Sequence, residues 1–173
     1  MSLLELDNPQ HMKNELFQEK QLILIEEESN IWVPELLLKH HFPYEVCLYN
    51  GLISYKPWTQ KEHVRDVLQI WKDLRSRIAA HYSGGSRGGS AESMPTGLSL
   101  LFSCLFWMHS KPVTIQGWEE KLISFSALPI NAAERIQFIM MRPYSYHAYK
   151  QLDSLFIETE KIYYKRQVMK KNV

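Results

Sequence analysis

The sequence has little cysteine. Cys47 and Cys104 are the only thiols in 173 residues, and neither has a neighbour at metal-ligand spacing. Two cysteines so placed define no disulfide framework. Cys104 lies in an apolar run with no basic neighbour, so it reads as a buried small hydrophobe and not as a nucleophile. Long apolar runs are also missing. The longest, GLSLLFSCLFWM at 97–108, falls well short of the roughly 20 residues a membrane span needs. The start, MSLLELDNPQ, lacks the basic-then-apolar pattern of a signal peptide, so a cytoplasmic location is expected and no membrane partner. There is no G-x-S-x-G elbow, no H-E-x-x-H, no Glu-x-x-His and no GK[ST] ending to a glycine-rich loop. The seven histidines are scattered, and adjacent His40 and His41 point in different directions on a helix. No metal and no cofactor are therefore expected. Glu62, His63 and Asp66 are neighbours, but they are expected on the exposed side of a helix.

Charge of one sign is lacking as well. Twenty Lys and Arg face nineteen Asp and Glu, a formal net charge of +1. That argues against a strongly electrostatic partner overall and leaves local patches open. The ends differ. Residues 1–30 are rich in acids, while the stretch from Lys161 onward holds Lys161, Lys165, Arg166, Lys170 and Lys171 without one. Such asymmetry marks either two solvated ends or a nucleic-acid contact.

What is present is helical periodicity. TQKEHVRDVLQIWKDLRSRIAAHY (59–82) carries Val64, Val67, Leu68, Trp71, Leu74 and Ile78 on one face, with Thr59 and Glu62 as an expected capping box. SGGSRGGSAESMPTG (83–97) reads as a flexible Gly/Ser-rich surface loop. Residues 98–109 are apolar all round, the pattern of a helix buried on several sides. A short helix is expected at 117–128 with Trp118, Leu122, Ile123 and Phe125 inward. Another follows at 130–143, starting at Asn131 with Glu134 as its capping partner and stopped by Pro143. The last runs from about Ser145 to Lys165, with Tyr149, Leu152, Leu155, Phe156, Thr159 and Tyr163 in rhythm. Pro34 and Pro43 suit two short helices ending near Gly51. QLILIE near residue 22 fits a helix or a short strand. The expected class is all-α: a compact helical bundle with a long central amphipathic helix and an irregular N-terminal helical arm. The arm is expected at 1–56, the helical domain at 57–167 and a basic tail at 168–173.

The stretch RPYSYHAYKQL (142–152) concentrates arginine, tyrosine, histidine and lysine. Arg142, Tyr146 and Lys150, with Lys165 and Arg166 at the tail, offer stacking faces and phosphate donors, while tyrosines on a helix also commonly bury their rings. Arg142, His147 and Tyr149 spell R-x4-H-x-Y, which resembles the motif of the HEPN superfamily, helical bundles that include metal-independent ribonucleases. That resemblance implies that Arg142 neutralises a scissile phosphate, His147 moves protons and Tyr149 orients them. Pro143 departs from the family's usual polar residue there and puts Arg142 and His147 on different helices.

A wider likeness spans LPINAAERIQFIMMRPYSYHAYKQLDSLFIETEKIYYK (128–165). The N-A-A-E-R start, the R-P break and the Y-H-A-Y-K-Q-L helix resemble the YpoC-like family of uncharacterised bacterial proteins, and the likeness extends over about 57–165. It implies an all-helical domain without established activity, in a family associated with genes for DNA replication and repair. The leading expectation is a protein-interaction or accessory module without catalysis, with an unknown protein partner. The alternatives are a HEPN-like ribonuclease using Arg142 and His147, by resemblance at a dimer interface, and a nucleic-acid-binding accessory protein. A homodimer stays open.

Overall fold

The structure is a computed structural model that describes residues 1–17, 21–84 and 93–171, Lys171 by its backbone alone. It is mostly helical. Among the described residues the chain runs through strands β1 (Leu3–Asp7) and β2 (Gln21–Ile25). Helices α1 (Leu36–Lys39), α2 (Pro43–Tyr49), α3 (Glu62–Gly84), α4 (Ser93–Met108), α5 (Trp118–Ile123), α6 (Ala132–Met141) and α7 (Tyr146–Lys171) follow.

The centre is α4. From Gly97 to Met108 every side is buried, which is why its sequence shows no polar face. Its two buried serine hydroxyls bond within the helix, Ser99 to the Thr96 carbonyl and Ser103 to the Ser99 carbonyl, so both are satisfied where they are buried. Helix α3 lays Val64, Val67, Leu68, Trp71, Leu74 and Ile78 against it. Helix α7 closes the other side with Leu152, Leu155, Phe156 and Tyr163, and Trp71 of α3 stacks on Phe156 of α7 at 4.2 Å. The last turns of α7 run past the expected end near Lys165 to Lys171.

The all-α expectation needs one correction. β1 and β2 form a two-stranded antiparallel sheet, with Leu3 opposite Ile25 and Asp7 opposite Gln21. β2 buries Leu22 and Leu24 and exposes Gln21 and Ile23, the period of two that half-buried strands show. The stretch between the strands delivers Met12 and Phe17 into the core, where Phe17 meets Phe42 and Phe102 edge-on. The backbone N–H groups of Ile115 and Gln116 then donate to the His11 carbonyl and tie this segment to the helices.

Helix boundaries differ from the sequence pattern in three places, each for a local reason. The Thr59 hydroxyl donates to the Lys56 carbonyl within a 3-10 turn, Pro57–Thr59, so the expected cap is not made and α3 begins at Glu62. Asn131 sits at φ +56° with its side chain outside the capping geometry, so the expected Asn131–Glu134 box is also absent. Ser83 and Gly84, expected as loop, still belong to α3, and Ser93 to Gly97 already form the first turns of α4; the rest of the expected loop, 85–92, lies outside the described residues. On α5 the expected inward Ile123 is instead largely exposed, while Trp118 and Leu122 are buried. The two proline-led helices near 34 and 43 end before Gly51, whose φ of +79° turns the chain.

Candidate functional site

The junction between α6 and α7 is built by its own sequence. Pro143 cannot continue α6, so the chain breaks after Met141, with Arg142 at φ −139° and ψ +66°, outside the helical region. Ser145 then starts α7. Its hydroxyl accepts the Ala148 N–H at 3.0 Å and donates to the Arg142 carbonyl, a side-chain N-cap. The Tyr82 hydroxyl of α3 donates to the Tyr144 carbonyl at 2.8 Å and fastens the turn to the body.

The members of the R-x4-H-x-Y pattern are placed differently from one another. Arg142 and His147 are exposed, and among the described residues no hydrogen bond or ion pair joins them. Tyr149 is only 5% exposed and stacks on Tyr82 with ring centres 5.5 Å apart. Burial raises its pKa above the usual 10. His147 instead borders a shallow groove of about 400 Å³, open to solvent, shared with Lys150, Gln151, Ser154, Phe138 and Arg135. Arg142 is not among its lining residues.

Arg135 is committed within the fold. It donates to both carboxylate oxygens of Glu158 at 2.9 and 3.0 Å, and also to Gln151, Ser154 and the Ile130 carbonyl. The guanidinium holds the Glu158 carboxyl below its ordinary pKa. This partly buried fork clamps α6 to α7. Arg135→Ala is expected to lower stability by about 2 kcal/mol, discounted for solvent screening. Urea unfolding of the variant checks this, and an unchanged midpoint would remove the clamp from the account.

The proposed nucleic-acid set is spread along α7. Tyr146 and Lys150 lie at its start and are exposed, and Lys165 is exposed near its end. Lys150 and Lys165 stand about 22 Å apart along the axis, at 1.5 Å per residue. Arg166 is half-buried and donates to the Met108 carbonyl at 3.3 Å, at the C-terminus of α4, where a cation opposes the negative helix end.

Two polar clusters were not expected from the sequence. His63 is 8% exposed and buried, not solvated as expected. Trp32 stacks on its ring at 4.3 Å, its Nε2 meets the Tyr55 hydroxyl at 2.6 Å, and its Nδ1 faces Asp66 at 3.5 Å. Asp66 also accepts the Trp32 indole N–H at 2.9 Å. A signal was present: His63 falls in step with Val67, Trp71, Leu74 and Ile78 on the apolar face of α3. The other is Glu45 of α2, fully buried. Its Oε2 accepts the Trp107 indole N–H at 2.9 Å and the Val113 N–H at 3.0 Å, while Oε1 has no partner. Among the described residues no three His, Cys, Asp or Glu side chains gather as metal ligands, and no helix is long and apolar enough to cross a membrane.

Known proteins match in one way. Residues 61–171 fit the family model of the YpoC-like proteins. A relative from Bacillus subtilis (strain 168), "Uncharacterized protein YpoC", is 31% identical over 115 residues, covering 65% of this chain and 70% of the relative. No solved structure matches. The chain belongs to the YpoC-like family.

Proposed function

We propose that this YpoC-like protein is an accessory module that works through contacts and performs no chemistry at residues 142–149. The observation that carries this reading is the placement of Tyr149. In the ribonuclease alternative its hydroxyl orients the reacting groups. Here the ring is packed against Tyr82 inside the bundle. Two further observations support it. The groove beside His147 is lined by Arg135, whose guanidinium is occupied by Glu158. A phosphate there would have to displace a bidentate carboxylate. The side chains left exposed at the junction, Phe138, Met141, Tyr144 and Tyr146, are of the types enriched at binding surfaces.

Incubation of a mixed single-stranded RNA pool with the full chain in EDTA tests the reading. The RNA is expected to stay intact with wild type and with His147→Ala alike. Cleavage by wild type that disappears in a folded His147→Ala variant would overturn it and restore the metal-independent ribonuclease.

A further inference from the structure

We propose that the outward face of α7, from Tyr146 to Lys165, is a track for a single-stranded nucleic acid. The inference rests on the reading of the chain as a binding accessory and names its partner. It begins with the charges of α7. The helix carries three acids, Asp153, Glu158 and Glu160. Each is held by a cation from a neighbouring helix. Arg75 of α3 takes Asp153, Arg135 of α6 takes Glu158, and Lys72 of α3 takes Glu160 at 2.8 Å. Three lysines of α7 are not used in return. Among the described residues Lys150, Lys161 and Lys165 enter no ion pair, and all three are exposed. They recur at i, i+11 and i+15, which brings them to one side of the helix. Arg142, exposed at the junction before the helix, adds a further cation. No Asp or Glu occurs between Glu134 and Asp153. A protein of net charge +1 thus concentrates uncompensated positive charge on one face, which is complementary to a polyanion.

Aromatic rings decide which polyanion. Tyr146 and Tyr164 are exposed toward opposite ends of the stripe, at 52% and 44%. Their ring neighbours are tilted or edge-on: Tyr82 at 70°, His147 at 61° and Tyr149 at 47° to Tyr146, and Tyr163 at 68° to Tyr164. Among the described residues no ring is stacked on either tyrosine, so each keeps a face for an unpaired base. The two lie about 27 Å apart along the axis. Spaced stacking faces beside a row of point charges suit a flexible strand whose bases are free. They do not suit a duplex, whose bases are already stacked, and an acidic peptide would leave the rings without a role.

Fluorescence anisotropy with labelled mixed-sequence oligonucleotides of about 20 nucleotides, as DNA and as RNA, tests this on the full chain. With four phosphates met by Arg142, Lys150, Lys161 and Lys165, affinity is expected to fall about 50-fold from 50 to 200 mM salt. In the variant Lys150→Glu, Lys161→Glu, Lys165→Glu the affinity at 50 mM salt is expected to drop at least about tenfold and the salt effect to shrink to about threefold. Tyr146→Ala with Tyr164→Ala is expected to weaken binding while leaving the salt slope in place. Circular dichroism confirms that the variants remain helical. Three results each overturn the proposal: no binding by wild type at 50 mM salt, equal loss when exposed Lys39 and Lys56 on other elements are reversed, or displacement by duplex or by polyglutamate as effective as by the single strand. None of these touches the accessory reading itself, which fails only if the RNA pool is cut.

Discussion

Glu45→Gln is expected to flatten the pH dependence of stability between about pH 4.5 and pH 7, by about 3 kcal/mol across that window. Burial pushes the Glu45 carboxyl from its ordinary value of 4.5 up to about 7, against the lowering effect of the Val113 and Trp107 N–H groups. The raised value means that the folded state binds a proton which the unfolded state has released. The contribution is therefore fully present below pH 4.5, declines as pH rises, and is lost above pH 7. Glutamine resembles the protonated form and keeps an oxygen for the two donors. The variant should match wild type near pH 5 and exceed it near pH 8. Urea titrations of both proteins at several pH values measure this. Parallel curves for wild type and Glu45→Gln would show that the carboxyl titrates at its ordinary value, and hence that α2 does not bury it. The neighbouring thiol Cys47 is pushed up to about 11 by burial, with Glu45 adding to the shift, so it stays protonated throughout the window.

Gly97→Val is expected to destabilise the bundle by about 3 kcal/mol or more. Gly97 of α4 lies against both Trp71 of α3 and Leu152 of α7. A Cβ at that position would stand 2.7 Å from Cζ3 of Trp71 and 3.0 Å from Cδ2 of Leu152. The indole cannot swing aside freely because it is stacked on Phe156 at 4.2 Å. Overpacking of this kind typically costs 1–3 kcal/mol, and the branched side chain adds more atoms than the space admits. Thermal unfolding should show the loss as a fall in Tm of roughly ten degrees or more. Trp71→Phe in the same chain should recover part of it, since the smaller ring vacates the contact. A Gly97→Val protein as stable as wild type would mean that the three helices do not approach as described.

These two positions also show what the sequence makes legible. The apolar rhythm of α3 and α7 is local, and residues such as Val67, Trp71, Leu152 and Phe156 declare their buried face at 3.6-residue spacing. The uniform apolarity of 97–108 marks the centre of the fold for the same reason. Pro143 marks the α6–α7 break because one residue suffices to stop a helix. Glu45 is different. An acid near the start of a proline-led helix reads as a solvated group, and its partners Trp107 and Val113 lie 62 and 68 positions away. His63 is covered by Trp32 from a distant part of the chain. The sheet was hidden because β1 and β2 are five residues each and their pairing is not recorded in either strand alone. At the candidate site, the identity of the basic and aromatic residues is plain in the sequence. Their availability is not, because it depends on which acids other helices occupy: Arg75, Arg135 and Lys72 reach across 78, 23 and 88 positions to hold the acids of α7.

The most direct test of the central claim is an NMR titration of isotope-labelled full chain with a single-stranded RNA oligonucleotide, followed by a check of the RNA's length on a gel. The account predicts amide shifts concentrated at Arg142, Tyr146, Lys150, Lys161, Tyr164 and Lys165, small changes at Glu45 and His63 in the core, and RNA of unchanged length. Shortened RNA, or shifts centred away from the outward face of α7, would contradict it.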